Sequence, residues 1–318
     1  MIISVSRRTD IPAFYSEWFF NRIKEGYVLV RNPFNKKQVS KVELNKDLVD
    51  CFVFWTKDPT LFLDRLDELK GYNYYFQFTL NSYWNDVELN VKKKSELIKV
   101  FRELSSKVGK EKVIWRYDPI LLNPKYTKEY HYKWFEEIAK KLSGYTDKCV
   151  ISFVDNYKET KKNEEELRLA YISNEDMINI ASKLVKIADK YNIKIESCAE
   201  KIDLSKYGVE HGSCIDSKLI EKIVGKDLII KRDSIREGCN CLKSIDIGEY
   251  NSCLHNCKYC YANYNSTLIH RNFETHKKDS SLLIGELNGE EKITEHYLCK
   301  EKKKENITYE QIDLFGGE

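Results

Sequence analysis

The chain has 318 residues, of which 42% are hydrophobic and 32% are charged, and its formal net charge is +3. This length allows one large domain or two medium ones, and the composition is that of an ordinary soluble globular protein. The small net charge gives no strong electrostatic case for a nucleic-acid or membrane-surface partner. The amino terminus lacks the features of a signal peptide, and no apolar run is long enough for a transmembrane helix. We therefore expect no membrane partner and a cytoplasmic location.

Short apolar runs alternate along the chain with longer amphipathic segments. The runs are rich in β-branched and aromatic residues, which is typical of buried strands. They cover residues 2–6, 51–55, 74–78, 113–115, 149–153, 193–196 and 228–230. Helices are predicted between them. The clearest helix follows Ser173, where residues 173–176 resemble a capping box and apolar residues then recur on one face.

The spacing of these runs is typical of repeated strand–helix units, which form a parallel sheet with helices outside. We predict an α/β fold that is a (βα) barrel, complete or partial. A doubly wound open sheet is the alternative, although no Gly-rich phosphate loop follows the first strand. Residues 1–235 are assigned to the barrel body, and residues 236–318 to a cysteine-rich cluster-binding segment and tail that close the barrel.

Polar side chains follow most of the predicted strands, at the carboxyl ends where parallel α/β folds place their sites. We expect them to bind a polar, anionic ligand, since arginine forks match carboxylates and phosphates. The residues predicted to be catalytic, through proton transfer or substrate orientation, are Lys57, Arg116, Asp118 and Glu200. The residues predicted to bind a cofactor are Arg7, Arg8, Gln77, Thr79 and Tyr259. Structural ion pairs across the barrel end are the alternative for any single residue.

The strongest chemical signal is a cysteine motif near the carboxyl end. Cys253, Cys257 and Cys260 have the spacing C-x3-C-x2-C, and we call residues 253–260 the cysteine loop. Three thiolates on a small loop are one short of the usual four ligands of a [4Fe–4S] cluster, so one iron would stay open to a small molecule. A structural zinc site with His255 as the fourth ligand is one alternative, and a disulfide framework is another.

Four further cysteines lie close to this motif along the chain. They are Cys198, Cys214, Cys239 and Cys241, and we call them the four-cysteine group. Four ligands are the number that a second, fully ligated cluster requires. We therefore predict one [4Fe–4S] cluster or two, the second relaying electrons or binding substrate. The alternatives are that Cys198 is simply buried in a strand, or that one of the four completes a single closed cluster.

The chain resembles an uncharacterised bacterial family, the domain of unknown function 1848. The matching segments are residues 6–12 (SRRTDIP), 54–57 (FWTK), 116–119 (RYDP), 197–200 (SCAE), 214–216 (CID), 239–241 (CNC), 246–250 (DIGEY) and the cysteine loop. That family is noted for a carboxyl-terminal cysteine cluster similar to the amino-terminal cluster of radical S-adenosylmethionine (SAM) enzymes. Membership implies no reaction.

The cysteine loop is itself similar to the cluster motif of radical SAM enzymes, including Tyr259 before the last cysteine. In that superfamily the three cysteines follow the first strand of a partial (βα)6 barrel, whereas here they follow about seven predicted strands. A circular permutation would reconcile the two orders. A strand near residues 244–247 would then fill the superfamily's first position, and residues 2–6 its second.

This second resemblance implies an iron–sulfur enzyme that cleaves SAM to a 5′-deoxyadenosyl radical, which abstracts hydrogen from a substrate. The expected partners are a small-molecule or other polar, anionic substrate and a reductant such as flavodoxin or ferredoxin. Nucleic acid stays among the open substrate classes. Two other functions are open: an iron–sulfur electron carrier or sensor without SAM chemistry, and a zinc-dependent barrel hydrolase. A hydrolase of this kind would usually show more paired His and Asp ligands at its strand ends.

Overall fold

The computed structural model describes residues 1–155, 160–228, 232 and 239–303 of the chain. Its strands are β1 (Ile2–Val5), β2 (Tyr27–Asn32), β3 (Asn35–Glu43), β4 (Cys51–Thr56), β5 (Tyr74–Thr79), β6 (Val113–Ile120), β7 (Lys148–Phe153), β8 (Lys194–Ser197), β9 (Glu210–His211), β10 (Ser244–Asp246) and β11 (Lys292–Glu295). Its helices are α1 (Ile11–Phe14), α2 (Ser16–Glu25), α3 (Thr60–Leu63), α4 (Lys94–Val108), α5 (Lys128–Leu142), α6 (Lys161–Leu167), α7 (Asn174–Asp189), α8 (Ser217–Val224) and α9 (Ser266–Glu274). None of the helices in these ranges is both long enough and apolar enough to cross a lipid bilayer.

Eight strands form one parallel sheet in the order β10-β1-β4-β5-β6-β7-β8-β9. The pairing of β1 illustrates the register, because Ile3 lies between Phe52 of β4 and Ile245 of β10. Strands β1, β4, β5, β6, β7 and β8 confirm six of the predicted strands. The seventh, at residues 228–230, lies outside the described residues except for Leu228. The prediction of an α/β fold with a parallel sheet is confirmed.

Local sequence signals set the limits of the helices that surround the sheet. The capping box predicted at Ser173 is present, since its hydroxyl accepts from the backbone of Asp176 and the Asp176 carboxylate accepts from the backbone of Ser173. Helix α2 ends at Gly26, whose φ of 75° lies in the left-handed region that glycine adopts freely. The Asp10 carboxylate caps α1 by accepting from Ala13 N at 3.0 Å, and this cap places Asp10 directly after β1.

The two faces of the main sheet are buried against different partners. Large aromatic residues such as Phe54 and Phe76, stacked at 4.8 Å, join the core that also includes the inner faces of the helices. The alternate residues of the same strands, such as Val53 and Tyr75, pack with α8 and with cysteine-bearing segments. Both faces are therefore covered, which is why the central strands have the nearly continuous apolar sequences from which they were predicted.

The main sheet does not close into a barrel by strand pairing. No ladder joins the edge strands β9 and β10 within the described residues, so the predicted (βα) barrel is not confirmed. The segments next to those edges do meet, because Leu242 N donates a hydrogen bond to Ile215 O at 3.2 Å. Strand β10 lies parallel to β1, which is the neighbour relation that a circular permutation requires.

A second sheet was not predicted. It has three strands in the order β11-β3-β2, with β2 and β3 antiparallel and β11 parallel to β3. Its hairpin reaches the mouth of the main sheet, where Val30, Arg31, Asn32, Pro33 and Ser40 line a cavity.

Candidate metal and cofactor site

A cavity of about 820 Å³ opens at the carboxyl ends of the main-sheet strands. Residues after β1, β4, β6, β7 and β8 line it, as do the cysteine loop and the four-cysteine group. Of the predicted site residues, only Gln77 and Glu200 do not line this cavity. Parallel α/β folds place their sites at this end of the sheet, so the cavity is the candidate functional site.

The cysteine loop is fixed to the body of the protein by backbone contacts. Cys257 forms an isolated antiparallel bridge with Glu88, and Lys258 N donates to Val87 O at 2.9 Å. Within the loop, Cys260 N donates to Cys257 O at 3.0 Å, and Cys253 N donates to the side-chain oxygen of Asn263 at 2.9 Å. These contacts place Cys253, Cys257 and Cys260 in the lining of one cavity.

Cys253 and Cys257 lie in a setting that opposes ionisation of their thiols. Burial, the carboxylate of Asp10 and the neighbouring thiols of Cys257 and Cys260 raise the pKa of Cys253 well above its usual value. Burial raises the pKa of Cys257 to about 12, although the charge of Lys57 acts in the opposite direction. A bound metal would have the opposite effect on these pKa values, because a thiol that coordinates a metal loses its proton.

His255, the alternative zinc ligand, is buried beside the loop. Its Nε2 lies 2.9 Å from the Asp10 carboxylate, and its ring packs edge-on against Phe14 at 4.6 Å. Its Nδ1 is buried and has no hydrogen-bond partner among the described residues. A histidine whose second nitrogen binds a carboxylate has the arrangement seen around many metal-binding imidazoles. His255 therefore stays a possible ligand through Nδ1.

A buried charge cluster lies beneath the cysteine loop. Glu88 is 1% exposed and accepts from Lys57 Nζ at 2.7 Å, from Tyr259 Oη at 2.6 Å and from Lys94 Nζ. Burial alone would raise the pKa of Glu88, but the two lysines hold it well below its usual range. Burial would likewise lower the pKa of Lys57, yet Glu88 and Cys257 raise it. Lys57 is thus a fixed cation beside Cys257, a setting that does not favour a proton-transfer role.

Sequence reasoning missed Glu88. It belongs to a segment without a regular strand, a helical period or a motif, and its carboxylate acquires its partners Lys57, Lys94 and Tyr259 only in the folded chain. In the structure, the predicted residue Tyr259 contacts Glu88. Its phenol donates to the Glu88 carboxylate and accepts from Asn81 Nδ2 at 3.2 Å.

Arg116 and Asp118 form a bidentate ion pair at the end of β6. Arg116 Nε and Nη2 donate to the two carboxylate oxygens of Asp118 at 3.0 and 2.5 Å. Nη1 of Arg116 donates to Gln77 Oε1 at 3.2 Å and to Cys214 Sγ at 3.0 Å. Arg116 therefore contacts three other predicted residues, and its guanidinium, at 5% exposure, directs its charge to a thiol.

The four-cysteine group is brought together by the fold. Cys198 Sγ lies 2.8 Å from Cys214 Sγ, and the side chain of Cys214 interacts with that of Cys241, which in turn interacts with Cys239. The hydrogen bond with Cys214 and burial together raise the pKa of Cys198 well above its usual value. In the part of the chain that the structure describes, no three or more His, Cys, Asp or Glu side chains are already arranged to hold a metal ion.

Arg7 and Arg8 lie where β1 meets β10, on either side of a buried aspartate. Burial would raise the pKa of Asp246, but the charges of Arg8 and Arg7 lower it. Asp246 also accepts from Ser4 Oγ at 2.6 Å and from Arg7 N at 2.8 Å. Arg7 stacks over Trp55 at 5.7 Å and Arg8 over Tyr250 at 5.1 Å, so both guanidinium groups are held at the cavity wall.

The two remaining predicted residues have different positions. Thr79 lies at the end of β5 and lines the cavity. Glu200 does not line it; its carboxylate accepts from Phe153 N at 2.8 Å and so fixes the end of β7.

Comparison with curated proteins and with solved structures gave no significant match. The family model described as a domain of unknown function (DUF1848) matches residues 2–262. This span contains the cysteine loop, the four-cysteine group and every other predicted site residue. The chain belongs to the DUF1848 family.

Proposed function

We propose that this protein is a radical-SAM-like iron–sulfur enzyme in which Cys253, Cys257 and Cys260 hold a [4Fe–4S] cluster. One observation carries the proposal: the three thiols share a single cavity with the carboxyl ends of the parallel strands. Its volume of about 820 Å³ falls within the range of about 300–1,000 Å³ typical of small-molecule sites. A ligand of the size of SAM would therefore fit beside the loop.

The donor set fits such a cluster. The cysteine loop offers three thiols from one short, anchored segment, which is one fewer than the usual ligand number. Lys57 supplies a buried positive charge next to Cys257, and a cation in this position offsets the negative charge of thiolate ligands. The parallel pairing of β10 with β1 supports the permuted order of strands that the radical SAM resemblance implies.

When bound, the cluster would supply the electron for reductive cleavage of SAM, and the resulting 5′-deoxyadenosyl radical would take hydrogen from the substrate. The chain's own residues would bind and position the ligands. Arg7 and Arg8 present two guanidinium groups to the cavity, suited to a carboxylate or a phosphate. Thr79 lines the same cavity.

Exclusion of water is the second task of these residues. The hairpin of β2 and β3 contributes Val30 and Pro33 to the cavity lining, which also includes Trp55 and Tyr250. A closed, partly apolar site prevents side reactions of a reactive intermediate. We infer a polar, anionic substrate, a cytoplasmic location and a reductant such as flavodoxin or ferredoxin.

A zinc protein is the second candidate, and His255 is the observation that favours it. With Nε2 on Asp10 and Nδ1 without a partner in the described structure, this imidazole could complete a Cys3His set with the cysteine loop. Such a site would be closed, so it would give structural support without SAM chemistry.

Anaerobic purification with iron, sulfide and zinc analysis tests the proposal, followed by dithionite and SAM with detection of 5′-deoxyadenosine. We expect about four irons at the loop and deoxyadenosine formation. The triple variant Cys253→Ala/Cys257→Ala/Cys260→Ala should lose both, whereas Cys299→Ala, a buried cysteine outside the two groups, should lose neither. Zinc without iron at the loop would refute the proposal, and iron without SAM cleavage would favour an electron carrier.

A His255→Ala variant separates the two candidates. If the loop holds a cluster with one open iron, the variant keeps its iron and sulfide. If the loop holds zinc through three thiolates and an imidazole, the variant loses most of the loop's zinc, because one of four ligands is gone.

A further inference from the structure

The four-cysteine group lies where the two edges of the open sheet approach each other. Cys198 follows β8 directly, and Cys214 follows the edge strand β9. Cys239 and Cys241 come from the other side, just before the edge strand β10. Thiols from both edges of one sheet therefore meet in a single contact group.

The backbone around these thiols is held in place from several directions. Ile215 N donates to Cys241 Sγ at 3.5 Å, and Leu242 N donates back to Ile215 O at 3.2 Å. In the middle of the sheet, Tyr75 Oη and Gln77 Nε2 both donate to the Cys214 carbonyl, at 2.6 and 2.9 Å. The positions of the cysteines are thus fixed by the fold and not only by their own contacts.

Two cations face the group. Arg116 Nη1 lies 3.0 Å from Cys214 Sγ, and Arg7 interacts electrostatically with Cys241 and Cys214. Positive charge beside a cysteine favours the thiolate, which is the form that binds metal. A thiolate set on a divalent ion carries net negative charge, and the two guanidinium groups are placed to offset it.

We infer that the four-cysteine group holds one tetrahedral divalent metal ion, zinc or iron, which joins the two edges of the sheet. Thiolates around a single such ion, at about 2.3 Å from the metal, are roughly 3.8 Å apart. The sulfurs of Cys198 and Cys214, 2.8 Å apart, need to separate only slightly to reach that spacing. A cubane cluster binds each cysteine to a different iron, so its cysteine sulfurs must lie much farther apart. Binding exchanges thiol protons for the ion and transfers no electrons.

Cobalt binding tests this inference independently of SAM chemistry. The variant Cys253→Ala/Cys257→Ala/Cys260→Ala removes the cysteine loop's thiols and leaves the four-cysteine group intact. Titrated anaerobically with Co²⁺ alone, it should bind one equivalent and show the visible absorption of tetrahedral cobalt with thiolate ligands. Adding Cys239→Ala/Cys241→Ala should abolish that spectrum, whereas adding Cys149→Ala, a buried cysteine of the core, should not.

Metal analysis of the protein as purified gives the second readout. One zinc or one iron per chain, without sulfide, in the loop variant supports the inference. Iron and sulfide near four each in that variant would overturn it in favour of a second cubane cluster, and so would the absence of any bound metal together with a failed cobalt titration. Hydrogen exchange tests whether the ion joins the two edges of the sheet. Removal of the ion should increase backbone exchange in β10 and in the segment after β9, but not in the central strand β5. Equal exchange at the edges with and without the ion would refute the proposal that the ion joins them.

Discussion

The buried pair of Lys57 and Glu88 offers the sharpest test of how the cavity floor is stabilised. Its charged atoms are 2.7 Å apart, with 12% and 1% of the side chains exposed. Replacing Glu88 by Gln keeps the shape but removes the carboxylate that pairs with the buried Lys57 ammonium and with Lys94. Breaking a buried pair in this way costs about 3–5 kcal/mol, most of it the penalty of the uncompensated ion.

This cost is a substantial fraction of the total free energy of unfolding, which is about 5–15 kcal/mol for a typical protein. With an m value of about 3 kcal/mol/M, the urea midpoint of Glu88→Gln should fall by roughly 1 M or more. The double variant Lys57→Met/Glu88→Gln removes both charges. It should be more stable than Glu88→Gln alone, because an apolar replacement for a buried pair is often nearly neutral.

Urea unfolding followed by circular dichroism measures these changes, and an exposed pair of similar length is the matched control. Lys110 Nζ and Asp147 Oδ1 are 2.8 Å apart, but 53% and 50% of these side chains are exposed. Asp147→Asn should therefore change stability far less, since solvent screens the pair. If Asp147→Asn and Glu88→Gln lower the midpoint equally, or if the double variant is the least stable of all, the reasoning from burial is wrong.

Three further variants test other parts of the structure. Burial lowers the pKa of His131 from 6.5 to about 4, so its contribution to stability is present above pH 6.5 and is lost as the pH falls toward 4. Between pH 7.5 and 4.5 this costs about 2.5 kcal/mol in the free energy of unfolding. The pH-dependent loss should be absent in His131→Gln and present in the exposed control His270→Gln. An unchanged pH profile in His131→Gln would contradict this. Ser173→Ala removes the cap of α7 and should lower the free energy of unfolding by about 1 kcal/mol, whereas no change in the urea midpoint would mean that the capping box is not formed. Arg116→Gln removes the cation beside Cys214 and should weaken cobalt binding by about 10–100-fold in the titration, while an unchanged affinity would show that this charge is not needed there.

The main sheet could be predicted because its strands are buried on both faces. Residues 51–55, for example, form an unbroken apolar run, and runs of this kind are the signature of parallel strands covered by helices. The small sheet had no such signal. Strand β3 has the sequence NKKQVSKVE and is largely exposed. Its polar sequence has no apolar pattern that predicts a strand, and the strand is stabilised by pairing with β2 and β11.

The candidate site was partly predictable for a similar reason. The polar residues that line the cavity follow strands that the sequence shows, and the cysteine loop has a local spacing. Glu88 has no local signal, because its role arises from contacts with Lys57, Lys94 and Tyr259. The approach of the two sheet edges also depends on distant contacts, since β9 has two residues and the segment after it meets the segment before β10 only in the folded chain.

The pairing of β1 with β10 has a consequence for the order of events during translation. Ser4 and Asp246, which are hydrogen-bonded across this pair, are 242 residues apart in the chain. At the usual rates of synthesis the ribosome needs roughly 10–50 s to travel that distance. The strands from β1 to β8 can assemble in the order in which they emerge, with the backbone groups of β1 that pair with β10 left unpaired during that interval. The cysteine loop is made after all of them, so most of the residues that line its cavity are synthesised before it.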